Sequence, residues 1–231
     1  MTFTYTPDFP VEERSQPRIR EAVAGAYSQR GPDGIQLLRD TWPLTFSART
    51  DTDRDAILSY FETREGAESF EWTTPFGETG QFVCPEWDTT LDSCGLSTVT
   101  ATFALTYVPG QTNIADATAP STAFSYIPNF SSQQTYKSDA KVITFGDGYA
   151  HRLRYGLHPQ KETWSLVFNN RTNTERNNIR TYLRGAARIS SFDWQDPYGN
   201  TAKYVCRDWT VRYSRFNDNS ISAEFERVYE P

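Results

Sequence analysis

All six tryptophans of this 231-residue chain fall into three pairs, each 122 residues apart: Trp42 with Trp164, Trp72 with Trp194, and Trp87 with Trp209. Cys84 and Cys206 keep the same interval. Chance does not put every copy of a rare, large residue in register, so the chain reads as two copies of one unit in tandem. Slid without a gap, residues 27–109 match residues 149–231 at 26 of 83 positions, from Tyr27/Tyr149 and Arg30/Arg152 to Phe103/Phe225 and Pro109/Pro231. Upstream the offset becomes 121, where Phe3–Phe9 (FTYTPDF) faces Phe124–Phe130 (FSYIPNF). The expected organisation is a first module at 1–109, a linker at 110–123 and a second module at 124–231. The linker, GQTNIADATAPSTA, is small, polar and free of aromatics. A duplicated unit carries a duplicated surface, which points to assembly or binding before catalysis.

The net charge of −6 divides unevenly between the copies. Residues 1–109 carry 8 Arg, no Lys, 8 Asp and 9 Glu, giving −9; residues 124–231 carry 15 basic and 11 acidic side chains, giving +4; Asp116 supplies the remaining −1. Modules of opposite charge attract one another, within a chain or between chains. No basic stripe of the kind that neutralises phosphates is present. No apolar run approaches the roughly 18 residues of a membrane span. The start, MTFTYTPDFPVEER, lacks the basic and apolar regions of a signal peptide. Three cysteines do not make a disulfide framework. The expectation is a protein that folds in a reducing cytoplasm and makes no membrane contact.

Aromatics form 15% of the chain, and with Gly and Pro punctuation they favour β-rich units. In each copy an aromatic segment leads to a glycine turn, around Gly25 (VAGAYSQR) and Gly148 (FGDGYAHR). Strictly alternating strands follow, with Trp42, Leu44, Phe46 in one copy and Trp164, Leu166, Phe168 in the other. Pro43 cannot donate to a ladder, which predicts an edge or a strand start there. One helix comes next in each copy. The first has Asp51 or Thr52 as N-cap and the stripe Ile57, Tyr60, Phe61; the second has Thr174 as N-cap, the stripe Ile179, Tyr182, Leu183, and Gly185 as its stop. Strands around Gln81–Cys84 and Lys203–Cys206 follow, then closing strands with Val99, Ala101, Phe103, Leu105 and Ile221, Ala223, Phe225. One helix among many short strands predicts a mostly β module, a sandwich or barrel with a flanking helix.

The most specific string is Ser-Phe-x-Trp-x-x-Pro-aromatic-Gly. It occurs once with Phe70, Trp72, Pro75 and Gly77, and again with Phe192, Trp194, Pro197 and Gly199. Seven residues later comes Cys-x-x-Trp, as Cys84…Trp87 and Cys206…Trp209. With the turn and the single helix, this pattern resembles the minor tail protein M family of lambda-like bacteriophages. That family's turn motif, Phe-Gly-Asp-Gly-Tyr-x-Gln-Arg, is divided here. The second copy keeps Phe145, Gly146, Asp147, Gly148, Tyr149 and Arg152, with His151 in place of Gln, and the first keeps Tyr27, Gln29 and Arg30. The resemblance implies two tandem tail-tube-like β-sandwich modules, each with one flanking helix. It also implies a structural, non-enzymatic role in a ring at the distal tail, between tail tube and tip hub, assembled in the host cytoplasm around a lumen for DNA. The family member is normally a single module. Three tandem chains could therefore match a six-fold ring, with acidic and basic modules alternating; a ring of six chains is equally allowed. The turn residues are the expected assembly set, with holding the turn itself as their other role.

Other chemistries fit less well. Gly146-Asp147-Gly148 precedes no Gly-Lys-Ser/Thr and no helix, so it reads as a tight turn rather than a phosphate cradle. His151 and His158 stand opposite Gln29 and Gln36, so neither belongs to a repeated site. Cys84 and Cys206 read as small buried hydrophobes, and Cys94, although within reach of Cys84, has Phe216 as its counterpart. No cofactor or metal is expected. Glu71 and Asp193 share a repeat position but belong to different copies, which argues against a paired-carboxylate glycosidase. The rival from another class is a carbohydrate-binding module for host receptor attachment, with tryptophans as stacking platforms.

Overall fold

Alternation of apolar and polar residues builds most of this chain into antiparallel strands, seen in a computed structural model that describes residues 2–229 apart from 25–26, 35–36, 93–94, 115–116, 118–119, 121–122, 139, 155–159 and 187–189. In the first half these are β1 (Val11–Pro17), a hairpin of β2 (Ile19–Ala24) and β3 (Tyr27–Pro32), β4 (Leu38–Thr50), helix α1 (Asp51–Glu62), β5 (Phe70–Thr73), β6 (Thr79–Leu91) and β7 (Leu96–Thr106). The second half repeats the order: β8 (Gln133–Ser138), a hairpin of β9 (Ala140–Thr144) and β10 (Ala150–Arg154), β11 (Gln160–Arg171), helix α2 (Asn173–Ala186), β12 (Phe192–Gln195), β13 (Thr201–Arg215) and β14 (Asp218–Arg227). The protein is mostly β, as the patterning predicts.

Each half gathers its own apolar cluster beneath its helix. Trp42, Leu44 and Phe46 of β4 are buried with Val99, Ala101 and Phe103 of β7, Ile57 and Phe61 of α1, and Phe3. Trp164, Leu166 and Phe168 pack in the same way with Ile221, Ala223, Phe225, Ile179, Leu183 and Phe124. Ring contacts repeat closely. Trp42 meets Trp72 edge-on at 5.5 Å, and Trp164 meets Trp194 edge-on at 5.5 Å. Phe70–Phe103 and Phe192–Phe225 are both 4.9 Å apart. Edge-to-face geometry places positive ring edges on negative faces and adds to the area buried. The motif turns repeat too. Gly77 and Gly199 have φ of 86° and 90°, which a Cβ disfavours, and their N–H groups close onto the carbonyls of Thr74 and Asp196. Cys84 and Cys206 each donate across a β-bulge, to the carbonyls of Glu86 and Asp208.

The two halves share one ten-stranded sheet, ordered β5-β6-β7-β4-β1-β13-β14-β11-β8, with β12 also on β13. Tandem repetition alone does not display this continuity. It comes from β1, which pairs with β4 of its own half and with β13 of the other. β4 pairs with β1 over Leu38–Thr41 and with β7 from Thr41 to Thr50, so it loses its β1 neighbour from Trp42 onward. Pro43 therefore sits where β4 has a ladder on one side only, as its missing N–H requires. Among its described residues the segment 110–123 holds no strand or helix, and its Ile114 packs on the first cluster.

Both helix starts differ from the sequence expectation. Thr50, not Asp51 or Thr52, caps α1: its Oγ1 accepts from the Asp53 N–H and donates to the Asp53 carboxylate. Thr172, not Thr174, caps α2: its Oγ1 accepts from the Glu175 N–H, and Glu175 accepts in return from the Thr172 N–H. This is a reciprocal capping box. The two threonines occupy the same repeat position, directly after bulges with positive φ at Ala48 and Asn170. Gly185 does not stop α2, which runs to Ala186. Thr50→Ala and Thr172→Ala should each lower stability by about 1 kcal/mol, and the double variant by about the sum because the caps lie in separate halves. Denaturant midpoints check both statements.

Candidate assembly interface

The place where the halves meet carries the most concentrated chemistry in the molecule. Arg176, Arg180 and Arg184 recur every fourth residue of α2, so they form one row on one helix face. All three are 4% exposed. Opposite them stand Glu13 of β1, Asp40 of β4 and Glu78 of the β5–β6 turn. Arg180 donates through Nε and Nη2 to both oxygens of Glu13, at 2.5 and 2.6 Å, and through Nη1 and Nη2 to Glu78, at 2.9 and 2.7 Å. Arg184 Nη1 donates to Asp40 at 2.7 Å and to Glu13 at 3.4 Å. Arg176 bonds Asn219 and lies over the Phe76 ring, 4.3 Å from its centroid.

Glu13 is fully buried and Asp40 1% exposed. Burial pushes the Glu13 carboxyl above the usual carboxylate range, against the opposing pull of Arg180 and Arg184. Burial acts on Glu78 in the same sense, but the hydrogen bonds and charge of Arg180, aided by Arg184, carry its carboxyl below that range. Arg180 shows the reverse balance: burial works against its charge, while Glu13 and Glu78 hold its guanidinium more firmly protonated than usual. Bidentate pairing of this kind fixes geometry as well as charge.

Backbone pairing runs alongside. Val11–Ser15 of β1 lie opposite Tyr213–Trp209 of β13. Around this ladder Phe9 packs edge-on against Tyr213 at 5.0 Å, Glu21 of the first hairpin bridges Arg207 at 3.3 Å, and Leu38 joins the second half's apolar cluster. The opposite charges of the two copies thus meet inside the chain. The two faces differ, a β1 edge against a β13 edge, so the contact is heterologous rather than self-complementary.

Sequence reasoning did not single out this row. Its signal was nevertheless present: Arg176, Arg180 and Arg184 stand where the first copy has Arg54, Leu58 and Glu62. The turn set lies elsewhere. Phe145 and Tyr149 close the β9–β10 hairpin through a backbone bond of 2.7 Å, with rings 5.8 Å apart. Asp147 and Gly148 have φ of 65° and 77°, so the tight-turn role is visible in the backbone. Phe145 and Tyr149 are 52% and 65% exposed, and Val142 and Leu153 of the same hairpin are exposed on its opposite faces; Arg152 is exposed as well. Tyr27, Gln29 and Arg30 lie in β3 of the corresponding first hairpin. Gly25, Cys94 and His158 lie outside the described residues.

The repeated motif is interior. Trp42, Trp72, Trp164, Trp194 and Trp209 are all buried, and Trp87 is half-buried. A sugar-stacking role would need exposed indoles, so these five cannot serve as platforms. Glu71 takes a hydrogen bond from Thr2, and Asp193 pairs with Lys203; their partners are separate.

Two comparisons bear on the family. The family described as "Phage minor tail protein" matches residues 1–107 and, separately, residues 122–229. The chain is also similar to Tail tip protein M of Escherichia phage N15, 31% identical over 112 residues, which is 47% of this chain and 96% of that protein.

Removing one member of the buried network leaves the others uncompensated. Arg180→Met should cost about 3–5 kcal/mol, whereas Lys203→Met, from an exposed pair, should change stability by less than about 1 kcal/mol. Denaturant midpoints of the two variants measured side by side check this. Burial also pushes the Cys84 thiol up to about 12 and the Cys206 thiol well above the ordinary range. Because the thiolate is the reactive form, peptide mapping after alkylation at mild pH should find both unlabelled until denaturant is added.

Proposed function

This chain belongs to the phage minor tail protein family, and on that premise we propose that it is a structural protein of the tail of a long-tailed bacteriophage, made of two tandem copies of the family module. The observation that carries the tandem reading is the double family match in one chain. Its two segments repeat strand for strand and cap for cap, with most ring contacts repeated except those of Phe61, whose counterpart is Leu183. Modules comprise residues 1–109 and 124–231, joined by residues 110–123.

We place the protein at the distal end of the tail, between the tube and the tip hub, as a ring with a lumen that DNA crosses without specific binding. The similarity to a protein named for the tail tip supports that position. The heterologous contact between the halves supports a ring, because such contacts generate closed rings when their rotation closes and open filaments when it does not. Three chains supply six modules, which suits a six-fold tube above and a three-fold hub below. The first module, at −9, is the better lining for the lumen, since an acidic wall repels phosphates. The exposed hairpin with Phe145 and Tyr149 is suited to contact the neighbouring tube or hub ring. The tail ring chemistry is shape, edge pairing and charge, without a bond-breaking step.

Native mass spectrometry of the purified chain and of the ring released from tails tests this. Three chains per ring is the expected result, and six would overturn the three-chain arrangement. Labelled antibody found away from the tail's distal end would overturn the position.

A further inference from the structure

The junction inside the chain has two halves, and the repeat supplies a second copy of each. The β1 edge that meets β13 corresponds to β8, and the β13 edge that meets β1 corresponds to Trp87–Leu91 of β6. Three features fix the 121-residue offset of this region. The N–H groups of Phe3 and Phe124 bond the carbonyls of Glu71 and Asp193. Those of Asp8 and Asn129 bond the carbonyls of Thr45 and Val167. Ser15 lies opposite Asp40 as Tyr136 lies opposite Glu162. β8 ends the sheet path, and β5 covers β6 along Thr79–Phe82. Among the described residues no strand pairs with the outer side of either remaining segment, and six strands lie between them. Exposed, unpaired edges of this kind are templates for another chain.

We propose that β8 of one chain pairs antiparallel with Trp87–Leu91 of β6 in the next copy, in the register of the internal β1·β13 ladder. This rests on the ring function proposed above and names the surfaces that close the ring. The register places Gln133 opposite Thr90, Gln134 opposite Thr89, Thr135 opposite Asp88 and Tyr136 opposite Trp87. It is read from the internal pairs Glu12↔Arg212, Glu13↔Val211, Arg14↔Thr210 and Ser15↔Trp209.

The side chains that the register brings together are those the isolated chain leaves in water. Phe9·Tyr213 becomes Phe130·Leu91, which are 111% and 75% exposed. Ser15·Trp209 becomes Tyr136·Trp87, with Tyr136 60% exposed and Trp87 half-buried where Trp209 is 1% exposed. Thr89 is exposed where its counterpart Val211 is fully buried by β1. The ion pair Glu21·Arg207 becomes Val142·Pro85, both exposed. Phe76 beneath Arg176 becomes Tyr198, 73% exposed, beside Arg54.

The charges change in the complementary sense. Glu13·Arg180 becomes Gln134·Leu58, and Asp40·Arg184 becomes Glu162·Glu62. Glu162 is already satisfied within its own module by Trp164, Gln134, Tyr204 and Arg227. The junction between chains therefore carries no counterpart of the arginine–carboxylate pairs that hold the junction within the chain. Wrong pairings are penalised: a β1 edge on the β6 edge of another copy would bury Glu13 and Asp40 against Leu58 and Glu62, with the arginine row absent. The arginine row keeps β1 for its own chain and leaves β8 to reach the next.

Tails carrying Thr89→Cys and Gln134→Cys in a Cys94→Ser background test the pairing after mild oxidation. Thr89 is exposed, while Gln134 is half-buried and bonds Glu162 and Tyr136; directly opposed strand residues have Cβ atoms roughly 4.5–5.5 Å apart. The expected result is a denaturant-resistant ladder ending at the ring's full complement. Either single cysteine, or Thr89→Cys with Thr135→Cys on the opposite sheet face, should give several-fold less. A ring recovered intact by native mass spectrometry in which the opposed pair does not link would overturn the junction and leave the ring function standing. A chain absent from tails would overturn both. Because the contact holds no ion pair for salt to screen, a purified ring should persist as salt rises; dissociation into single chains at high salt would overturn this junction independently of the cysteines.

Discussion

Two carboxylates buried in the first half depend on arginines supplied by the second. Glu13 and Asp40 lie on neighbouring strands with almost no solvent contact, a placement that removes them from water at a cost of several kcal/mol per ion. Arg180 and Arg184 offset that cost with charge-assisted bonds across the boundary between the copies. The row on α2 supplies the counter-charges for the carboxylates buried where β1 lies between β4 and β13. The alignment of helix, strand and hairpin across the boundary is set by this requirement.

The same requirement shows in how the corresponding edges of the two halves differ. A repeated module carries identical edges at first, and identical edges cannot tell a partner in the same chain from one in another. Divergence at a few positions separates them. Arg180 faces Leu58 across the repeat, Arg184 faces Glu62, Glu13 faces Gln134 and Glu21 faces Val142. One pair of edges carries buried ion pairs and meets inside the chain; the other lacks those charges and faces outward.

Much of the fold was legible in the sequence because it rests on residues whose burial leaves a periodic trace. Trp42, Leu44 and Phe46 alternate because their strand packs one face against a helix, and Trp164, Leu166 and Phe168 do so for the same reason. The helices were legible from Ile57 and Phe61 and from Ile179 and Leu183. Their caps were misplaced because a bulge at Ala48 and Asn170 turns the chain earlier than side-chain periodicity reveals, making Thr50 and Thr172 the residues that meet the free N–H groups. The candidate interface was not legible. Arg176, Arg180 and Arg184 have the spacing of an ordinary solvated helix face, and nothing along the chain states that the carboxylates they meet lie some 100 to 170 residues away.

The sequence by itself determined the internal repeat, the strand and helix order in each half, the interior placement of five of the tryptophans and the inequality of charge. These follow from local periodicity and from self-comparison, both of which a linear chain records in full. The tertiary structure decided which edges meet: that β1 lies against β13, that the opposite charges are buried at that contact, and that β8 and the end of β6 are left facing outward. Edge pairing between distant strands is a matter of shape and of which buried charge finds its counter-charge, and neither is local to any stretch of residues.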